Sequence, residues 1–386
     1  MQVDDITFGH DLHFLSQHDD VIVLRGDDPN ARVIASAAYQ AKVFTSTCSG
    51  DNGPSFGWIN YKAFTSERDR HMNAYGGENR FWLGPEGGKY SLFFKPGEKM
   101  VFDNWRTPPA FDTEAWTVVS RTREAVHFIK EMELSNYQGS RLELLASRRV
   151  NILSRGEISR RIGVALPEGV GAVGYTTGNV ITNKGNYSWT EFTGMPCIWM
   201  LDMFRPSAGA VIVIPHKGGG ATAKGAAGGE RAVTTDYFGE IPPDRIRMVE
   251  NGLFFKADGK SRGKLGIGPT KAMPWAGSYD TQNKVLTVTI FDVNAAGRYL
   301  NQEWNTLKPV FSGDAVNAYN DGALADGSQM GPFYELESVS PAALLEPSGS
   351  LSHEHTVLHF TGTEAVLEPI VKKVFGVSLS YMGNIF

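Results

Sequence analysis

Two glutamates in the C-terminal third of the chain are spaced so that their side chains lie side by side. The segment 331–338 alternates in the manner of a β-strand, which places Glu335 and Glu337 on one face together with Phe333. Two carboxylates this close repel each other, and the repulsion raises the pKa of one of them. The pair therefore suits general acid or base chemistry, or the binding of a cation.

Three histidines follow on the next predicted strand, residues 351–360. Alternation places His353, His355 and His359 on one face, and the opposite face meets the core through Leu358 and Phe360. If this strand pairs with the acidic strand, imidazole and carboxylate groups converge on one small ligand. The alternative is a solvated polar face that carries cross-strand ion pairs.

A second cluster lies within residues 75–90, YGGENRFWLGPEGGKY. Glu78, Asn79, Arg80 and Trp82 combine hydrogen-bonding groups with an aromatic plane, as in sites that hold sugar hydroxyls and stack on a sugar ring. The structural alternative is a salt bridge from Arg80 and a core position for Trp82.

A third candidate is the segment 317–322, NAYNDG, which immediately precedes the acidic strand. Asn320 and Asp321, followed by glycine, form a turn by default. Their position beside the two glutamates makes both of them candidate substrate-binding residues, together with Glu335.

The elements that must position these residues are predicted to be β-strands. Period-2 alternation rich in β-branched and aromatic residues recurs along the chain. The predicted strands are 21–24, 32–46, 90–94, 116–120, 125–134, 141–153, 209–214, 252–256, 284–292, 331–338 and 351–360. Turn signals separate them and no helices alternate with them, which predicts an all-β fold, a large antiparallel sandwich.

One helix is predicted near the C-terminus. Over residues 364–375, Val366, Ile370, Val371 and Val374 lie near one stripe that ends before Gly376. We expect this short helix to cap the sandwich. Residues 218–229, GGGATAKGAAGG, are predicted to be a flexible loop.

Composition excludes several classes of protein. The 386 residues include 43 glycines, against roughly 27 at an average usage of about 7%, which indicates many tight turns. A net charge of −5 without runs of like charge predicts no nucleic-acid or membrane partner. Cys48 and Cys197 have no metal-ligand spacing and are expected to be buried thiols. No linker divides the chain, so residues 1–386 are predicted to form a single domain.

No stretch of the sequence approaches the 18 or more apolar residues of a membrane span. We expect a soluble protein. The first 20 residues are too polar for a signal peptide, and the compartment stays open, periplasmic or extracellular if a leader has been removed. The oligomeric state also stays open.

With these residues in view, the chain resembles the galactose mutarotase-like superfamily, whose members are large antiparallel sandwiches that act on or bind sugars. Within it, the chain is similar to a bacterial family of uncharacterised proteins. The motifs behind that likeness are GWINY at 57–61, ENRFWLGPEGG at 78–88, DYFGEIPPDRI at 236–246, GSYD at 277–280, NAYNDG and the YELES strand.

The resemblance implies a set of roles. Leu336 and Glu337, followed by Pro341, look like the strand that carries the catalytic glutamate of mutarotases, so Glu337 is implied as the base for the anomeric hydroxyl. The acid histidine of that family has no matching motif here, and His353 or His355 is the implied acid. Arg80 is implied to hold ring hydroxyls.

Three classes of function follow for this chain. The first is an enzyme, epimerase-like or carbohydrate-cleaving, that acts on a sugar by acid/base chemistry. The second is a non-catalytic carbohydrate-binding protein, and the third is a structural or interaction protein. No cofactor is required, although the histidine face permits a divalent cation held by His353, His355 and either Glu335 or Glu337.

Overall fold

The computed structural model describes residues 6–218, 233–235, 237–324 and 326–386. Strands and helices are numbered below in chain order. The predicted loop 218–229 lies outside the described residues apart from its first glycine.

The larger sheet has ten strands, each antiparallel to its neighbours. In spatial order the strands are β12 (Ile246–Val249), β13 (Gly252–Lys256), β10 (Ala210–Pro215), β15 (Trp275–Asp280), β16 (Val285–Phe291), β19 (Ser350–Thr361), β8 (Gly171–Asn183), β7 (Arg141–Ile152), β6 (Ala125–Ser135) and β5 (Thr117–Arg121).

A six-stranded antiparallel sheet packs against it. Its spatial order is β11 (Val233–Thr234), β14 (Gly263–Ile267), β17 (Val316–Asn320), β18 (Tyr334–Val339), β9 (Cys197–Phe204) and β4 (Arg80–Gly84). A three-stranded sheet, β1 (Ile22–Arg25), β2 (Arg32–Ser36) and β3 (Lys42–Thr47), joins it through backbone hydrogen bonds of 3.0 and 3.1 Å between Val43 and Asn79.

The main core lies between the two large sheets. Leu144 and Val173 of the ten-stranded sheet belong to one continuous buried cluster with Ile198 and Leu336 of the six-stranded sheet. Burial of side chains such as these stabilises the fold by roughly 1.5–3 kcal/mol each. The sandwich arrangement follows, because each sheet has an apolar face that must be covered.

The described α-helices are α1 (Phe8–Ser16), α2 (Arg155–Ile162), α3 (Glu364–Phe375) and α4 (Leu379–Gly383). Helix α1 packs against the three-stranded sheet, and the other three cover the outer face of the ten-stranded sheet. Side chains of α2, α3 and α4 form a second core with Leu358 and Phe360 of β19. None of these helices is long and apolar enough to cross a membrane.

The predicted fold class is confirmed, an all-β antiparallel sandwich with a short C-terminal helix. Helix α3 ends as expected, since Gly376 adopts the left-handed conformation (φ 71°) that closes a helix. The predicted strand 90–94 is instead an irregular segment whose aromatic side chains are buried. Helix α2 was not predicted, although Ser154 and Glu157 form a capping box at its start.

Candidate functional site

A cleft of about 1670 Å³ lies over the face of the six-stranded sheet that points away from the ten-stranded sheet. Lys264 of β14 and Tyr319 of β17 line it, and they are paired across the strands. Glu335 of β18 pairs with Tyr319 and therefore shares this face. The same register pairs Glu337 with Asn317, two residues further along β18, so Glu337 also lies on this face.

Glu337 is held in a buried ion pair. Its Oε2 accepts hydrogen bonds from Lys264 Nζ at 2.9 Å and from Trp199 Nε1 at 2.8 Å. The Lys264 ammonium also lies 4.7 Å from the centre of the Trp199 ring. Oε1 of Glu337 is buried and has no hydrogen-bond partner among the residues that the structure describes. The carboxyl group is thus fixed through one oxygen only.

Glu335 forms the second buried pair of this face, with Arg80 of β4. The guanidinium reaches across β9 and lies 5.1 Å from the ring of Trp82. Burial raises the pKa of the Glu335 carboxyl to about 8; Arg80 opposes the rise and Glu337 adds to it. Two neighbouring carboxyls are therefore paired with different cations, Glu335 with Arg80 and Glu337 with Lys264.

Further charged groups surround these pairs. Burial alone lowers the pKa of Lys264, but Glu337 and Glu86 raise it above the ordinary value, so the amine stays protonated. The Glu86 carboxylate accepts a hydrogen bond of 3.1 Å from Trp304 Nε1. Burial raises the pKa of Glu86 as well, with Lys264 opposing this shift.

A tyrosine in the cleft wall is fixed beside the lysine. Tyr237 donates a 2.7 Å hydrogen bond to Asp314, accepts one of 3.2 Å from Asn317, and its ring lies 5.5 Å from Lys264 Nζ. Burial raises the pKa of Asp314 to about 6, opposed by the hydrogen bond from Tyr237. Close packing at this point requires Gly266, where a Cβ would lie 2.1 Å from Asp314 Oδ2.

The histidines lie on the other side of the six-stranded sheet. Strands β18 and β19 belong to different sheets, so the pairing that would bring His353 and His355 to Glu337 does not occur. Both imidazoles instead contact the hydroxyl of Ser338, the neighbour of Glu337 that points to the opposite face, at 2.8 Å. The structure thus separates His353 and His355 from the two glutamates.

A buried polar layer between the sheets holds these histidines. His355 Nε2 lies 2.7 Å from Asp202 Oδ2, and Asn79 donates to the other oxygen of Asp202 at 2.6 Å. Glu78 accepts from Ser46 at 2.7 Å and contacts His359 at 3.1 Å. Asn79 and Glu78, predicted as sugar ligands, are therefore structural neighbours of this layer, away from the cleft.

The remaining predicted site residues lie in different places, and not all of them reach the cleft. Asp321 lines the cleft, where it accepts a 2.8 Å hydrogen bond from Tyr319. Asn320 points away and holds the turn at 259–261, accepting from the amide of Gly259 at 3.0 Å. Trp82 lies on the cleft side of the sheet but is covered by other aromatic rings.

The predicted cation ligands do not lie together. His353 and His355 are in the layer between the sheets, whereas Glu335 and Glu337 face the cleft. In the part of the chain that the structure describes, no three histidine, cysteine, aspartate or glutamate side chains are arranged to hold a metal ion.

Comparison with known proteins assigns the chain to a family. Residues 6–386 match DUF6786, described as a family of unknown function. The chain belongs to this family. No curated protein matches its sequence.

The fold of this chain is similar to that of solved structures with low sequence identity. A candidate aldose 1-epimerase from Escherichia coli K12 is similar with a TM-score of 0.50 and 11% identity over 88% of this chain and 98% of its own. The Slr1438 protein from Synechocystis sp. PCC 6803 has a TM-score of 0.50 and 13% identity over 89% of this chain and 96% of its own. A galactose mutarotase-like protein from Lactobacillus casei scores 0.48 at 11% identity, over 88% and 99%. This member of DUF6786 has the galactose mutarotase-like fold.

Sequence reasoning missed four residues in and beside the cleft of this family member. They are Lys264, Glu86 and Tyr237 of the lining, and Trp199 beside it. Lys264 on β14 reaches Glu337 across β17, and Trp199 reaches it from β9 on the other side of β18. One signal was present in β14, where a lysine stands inside the short buried strand GKLGI. A buried lysine is rare unless it is paired with an acid.

Proposed function

We propose that the cleft over the six-stranded sheet binds a carbohydrate, and that Glu335 and Glu337 perform mutarotase-like acid/base chemistry on it. The observation that carries this proposal is the pair of adjacent carboxyls held by two different cations, Arg80 and Lys264. The galactose mutarotase-like fold agrees with a sugar substrate.

The two carboxyls suit opposite roles. Glu337 is the base, because its unpartnered Oε1 can accept the proton of the anomeric hydroxyl. Glu335 is the acid, because burial favours its protonated form, and it delivers a proton to the ring oxygen as the bond from the anomeric carbon to that oxygen breaks. Rotation of the aldehyde and the reverse proton transfers close the ring as the other anomer.

In this assignment the acid is the carboxyl group of Glu335, in place of the histidine that the family resemblance implied. His353 and His355 are separated from the cleft by the six-stranded sheet, so neither reaches a sugar bound beside Glu337. Burial also lowers the pKa of His353 to about 3, which keeps that imidazole neutral. Arg80, in the Glu335 pair, is proposed to orient ring hydroxyls.

A second candidate function is non-catalytic sugar binding. One observation favours it: each carboxyl already has a cationic partner, and the Glu337 side chain has no exposed surface. In this case the two pairs only shape the cleft, and a sugar binds without conversion.

Exchange between anomers distinguishes these functions. Spontaneous and catalysed interconversion of a panel of aldoses is measured by NMR exchange spectroscopy for the wild-type protein, Glu337→Gln and Glu335→Gln. Each variant should lower the catalysed rate by about 10²- to 10⁴-fold, the usual contribution of one acid or base. Glu133→Gln, an exposed glutamate of β6, is the control and should leave the rate unchanged.

Sugar affinity, measured by calorimetry on the same variants, completes the test. Saturable binding without any catalysed exchange favours the non-catalytic function. If no aldose binds and none is interconverted, the proposal is wrong. Circular dichroism and thermal unfolding show whether each variant retains its fold.

A further inference from the structure

The cleft is larger than a single sugar requires. Its volume of about 1670 Å³ exceeds the roughly 300–1,000 Å³ of typical small-molecule pockets. Glu335 and Glu337 lie beneath only part of this space, since the lining extends to Phe102 and Trp105 and to residues 328–332. The volume leaves room for units beyond the one that reacts.

One wall of the cleft carries a set of nearly parallel aromatic rings, which we name the aromatic staircase: Phe102, Trp105 and Trp304. Phe102 and Trp105 are inclined by 18°, and Trp105 and Trp304 by 26°, with centroids 6.2 Å apart in both cases. This separation is larger than that of rings in face-to-face contact, so each ring is displaced sideways from the next. Other rings also stack on two of them, since His71 lies 4.3 Å from Phe102 and Phe93 lies 5.8 Å from Trp105.

The staircase is open to the cleft at its Phe102 end. Phe102 is 58% exposed, whereas Trp105 is only 6% exposed, and all three rings line the cleft. Phe238, which also lines the cleft, is 43% exposed, and the guanidinium of Arg262 lies 3.9 Å from its ring centre and covers one face. Phe102 is therefore the most exposed aromatic side chain of the described lining.

The staircase is connected to the two carboxyls. Trp304 donates its indole hydrogen to Glu86, and the charge of Glu86 interacts with those of Lys264 and Glu337. A ligand that lies over the two glutamates and extends along this wall therefore meets Trp304 first and Phe102 last. Acidic side chains, among them Glu86, Glu303 and Asp321, outnumber basic ones in the described lining, which disfavours an anionic ligand.

We infer that the cleft takes a neutral oligosaccharide, whose reducing-end unit lies over Glu335 and Glu337 and whose further units stack on the aromatic staircase. This inference rests on the proposed function and specifies its substrate class. Aromatic rings bind the apolar C–H faces of sugars while the hydroxyls at the rim of each sugar stay hydrated or hydrogen-bonded. Phe102 then contacts only ligands of more than one unit.

Chain length is the variable that tests this inference. Dissociation constants are measured by calorimetry for four neutral series: glucose to maltohexaose, glucose to cellohexaose, xylose to xylohexaose and mannose to mannohexaose. In at least one series, affinity should rise tenfold or more from the monosaccharide to the trisaccharide. Phe102→Ala should weaken binding of the longest ligand about three- to tenfold, the value of one aromatic stack, and leave the monosaccharide unchanged.

Two matched variants accompany this measurement. Phe102→Trp keeps an aromatic face and should retain the affinity for long ligands. Leu307→Ala removes another exposed apolar side chain, 92% exposed and outside the cleft lining, and should change nothing.

The outcomes separate this inference from the proposed function. If monosaccharides bind and are interconverted but affinity does not depend on chain length, the oligosaccharide inference is wrong and the proposed function stands. The same holds if Phe102→Ala leaves the affinity for the longest ligand unchanged. If no member of any series binds, the oligosaccharide inference is wrong, and the exchange measurements on the panel of aldoses decide the proposed function separately.

Discussion

The buried pair between Lys264 and Glu337 should make a large and measurable contribution to stability. The two side chains are 8% and 0% exposed, and their charged atoms are 2.9 Å apart. At an effective dielectric constant of about 20, this separation corresponds to a Coulomb attraction of about 6 kcal/mol. Desolvation of both ions offsets part of it, so we expect a coupling free energy of about 2–4 kcal/mol.

A double-mutant cycle measures this coupling. The free energy of unfolding is determined in urea for the wild type, Lys264→Met, Glu337→Gln and the double variant. Lys264→Met should be destabilised by about 3–5 kcal/mol, because it leaves the Glu337 carboxylate buried without a cation. The double variant should be more stable than the sum of the two single effects predicts.

A surface pair provides the matched control. Arg141 and Glu133 form a 2.6 Å contact between side chains that are 60% and 61% exposed, and their coupling should be about 0.2–1 kcal/mol. If the coupling of Lys264 with Glu337 is no larger than this, the two charges are not desolvated together. That result would refute the electrostatic description of the cleft floor.

Three further predictions concern other parts of the molecule. Burial raises the pKa of Asp314 to about 6, so the folded protein binds that proton more tightly than the unfolded chain does. The contribution of Asp314 to the free energy of unfolding should therefore fall by about 3 kcal/mol as the pH rises from about 4 to 6. Asp314→Asn should remove this pH dependence from urea titrations, and an unchanged pH dependence would contradict the prediction. His355→Asn should lower the free energy of unfolding by about 1–3 kcal/mol, because the contact with Asp202 is lost. The same variant should leave sugar turnover per folded molecule unchanged. Loss of turnover with an intact fold would instead show that His355 takes part in catalysis. Gly266→Ala should destabilise the protein by about 1–3 kcal/mol in thermal unfolding, because the added Cβ would meet Asp314. Gly178→Ala is the control, since its added Cβ would meet nothing within 4 Å, and it should change stability by less than about 0.5 kcal/mol. Equal effects of the two variants would show that Gly266 is not tightly packed.

Local pattern was enough for the fold class and for the faces of individual strands. Alternation correctly placed Glu335 with Glu337, and His353 with His355. The stripe and terminal glycine of α3 likewise defined that helix with the bounds 364–375. These features depend on periods of 2 and 3.6 residues along a single segment, which neighbouring residues reveal without knowledge of the rest of the chain.

Tertiary structure alone decided which faces meet. Two strands adjacent in the chain, β18 and β19, joined different sheets, so the glutamates face a cleft and the histidines face the layer between the sheets. Lys264 and Trp199 reached Glu337 from distant segments, through the pairing of β14 and β9 with their neighbours. Alternation specifies the side of a strand but not its partner, because pairing between remote strands depends on how the whole chain buries its apolar faces.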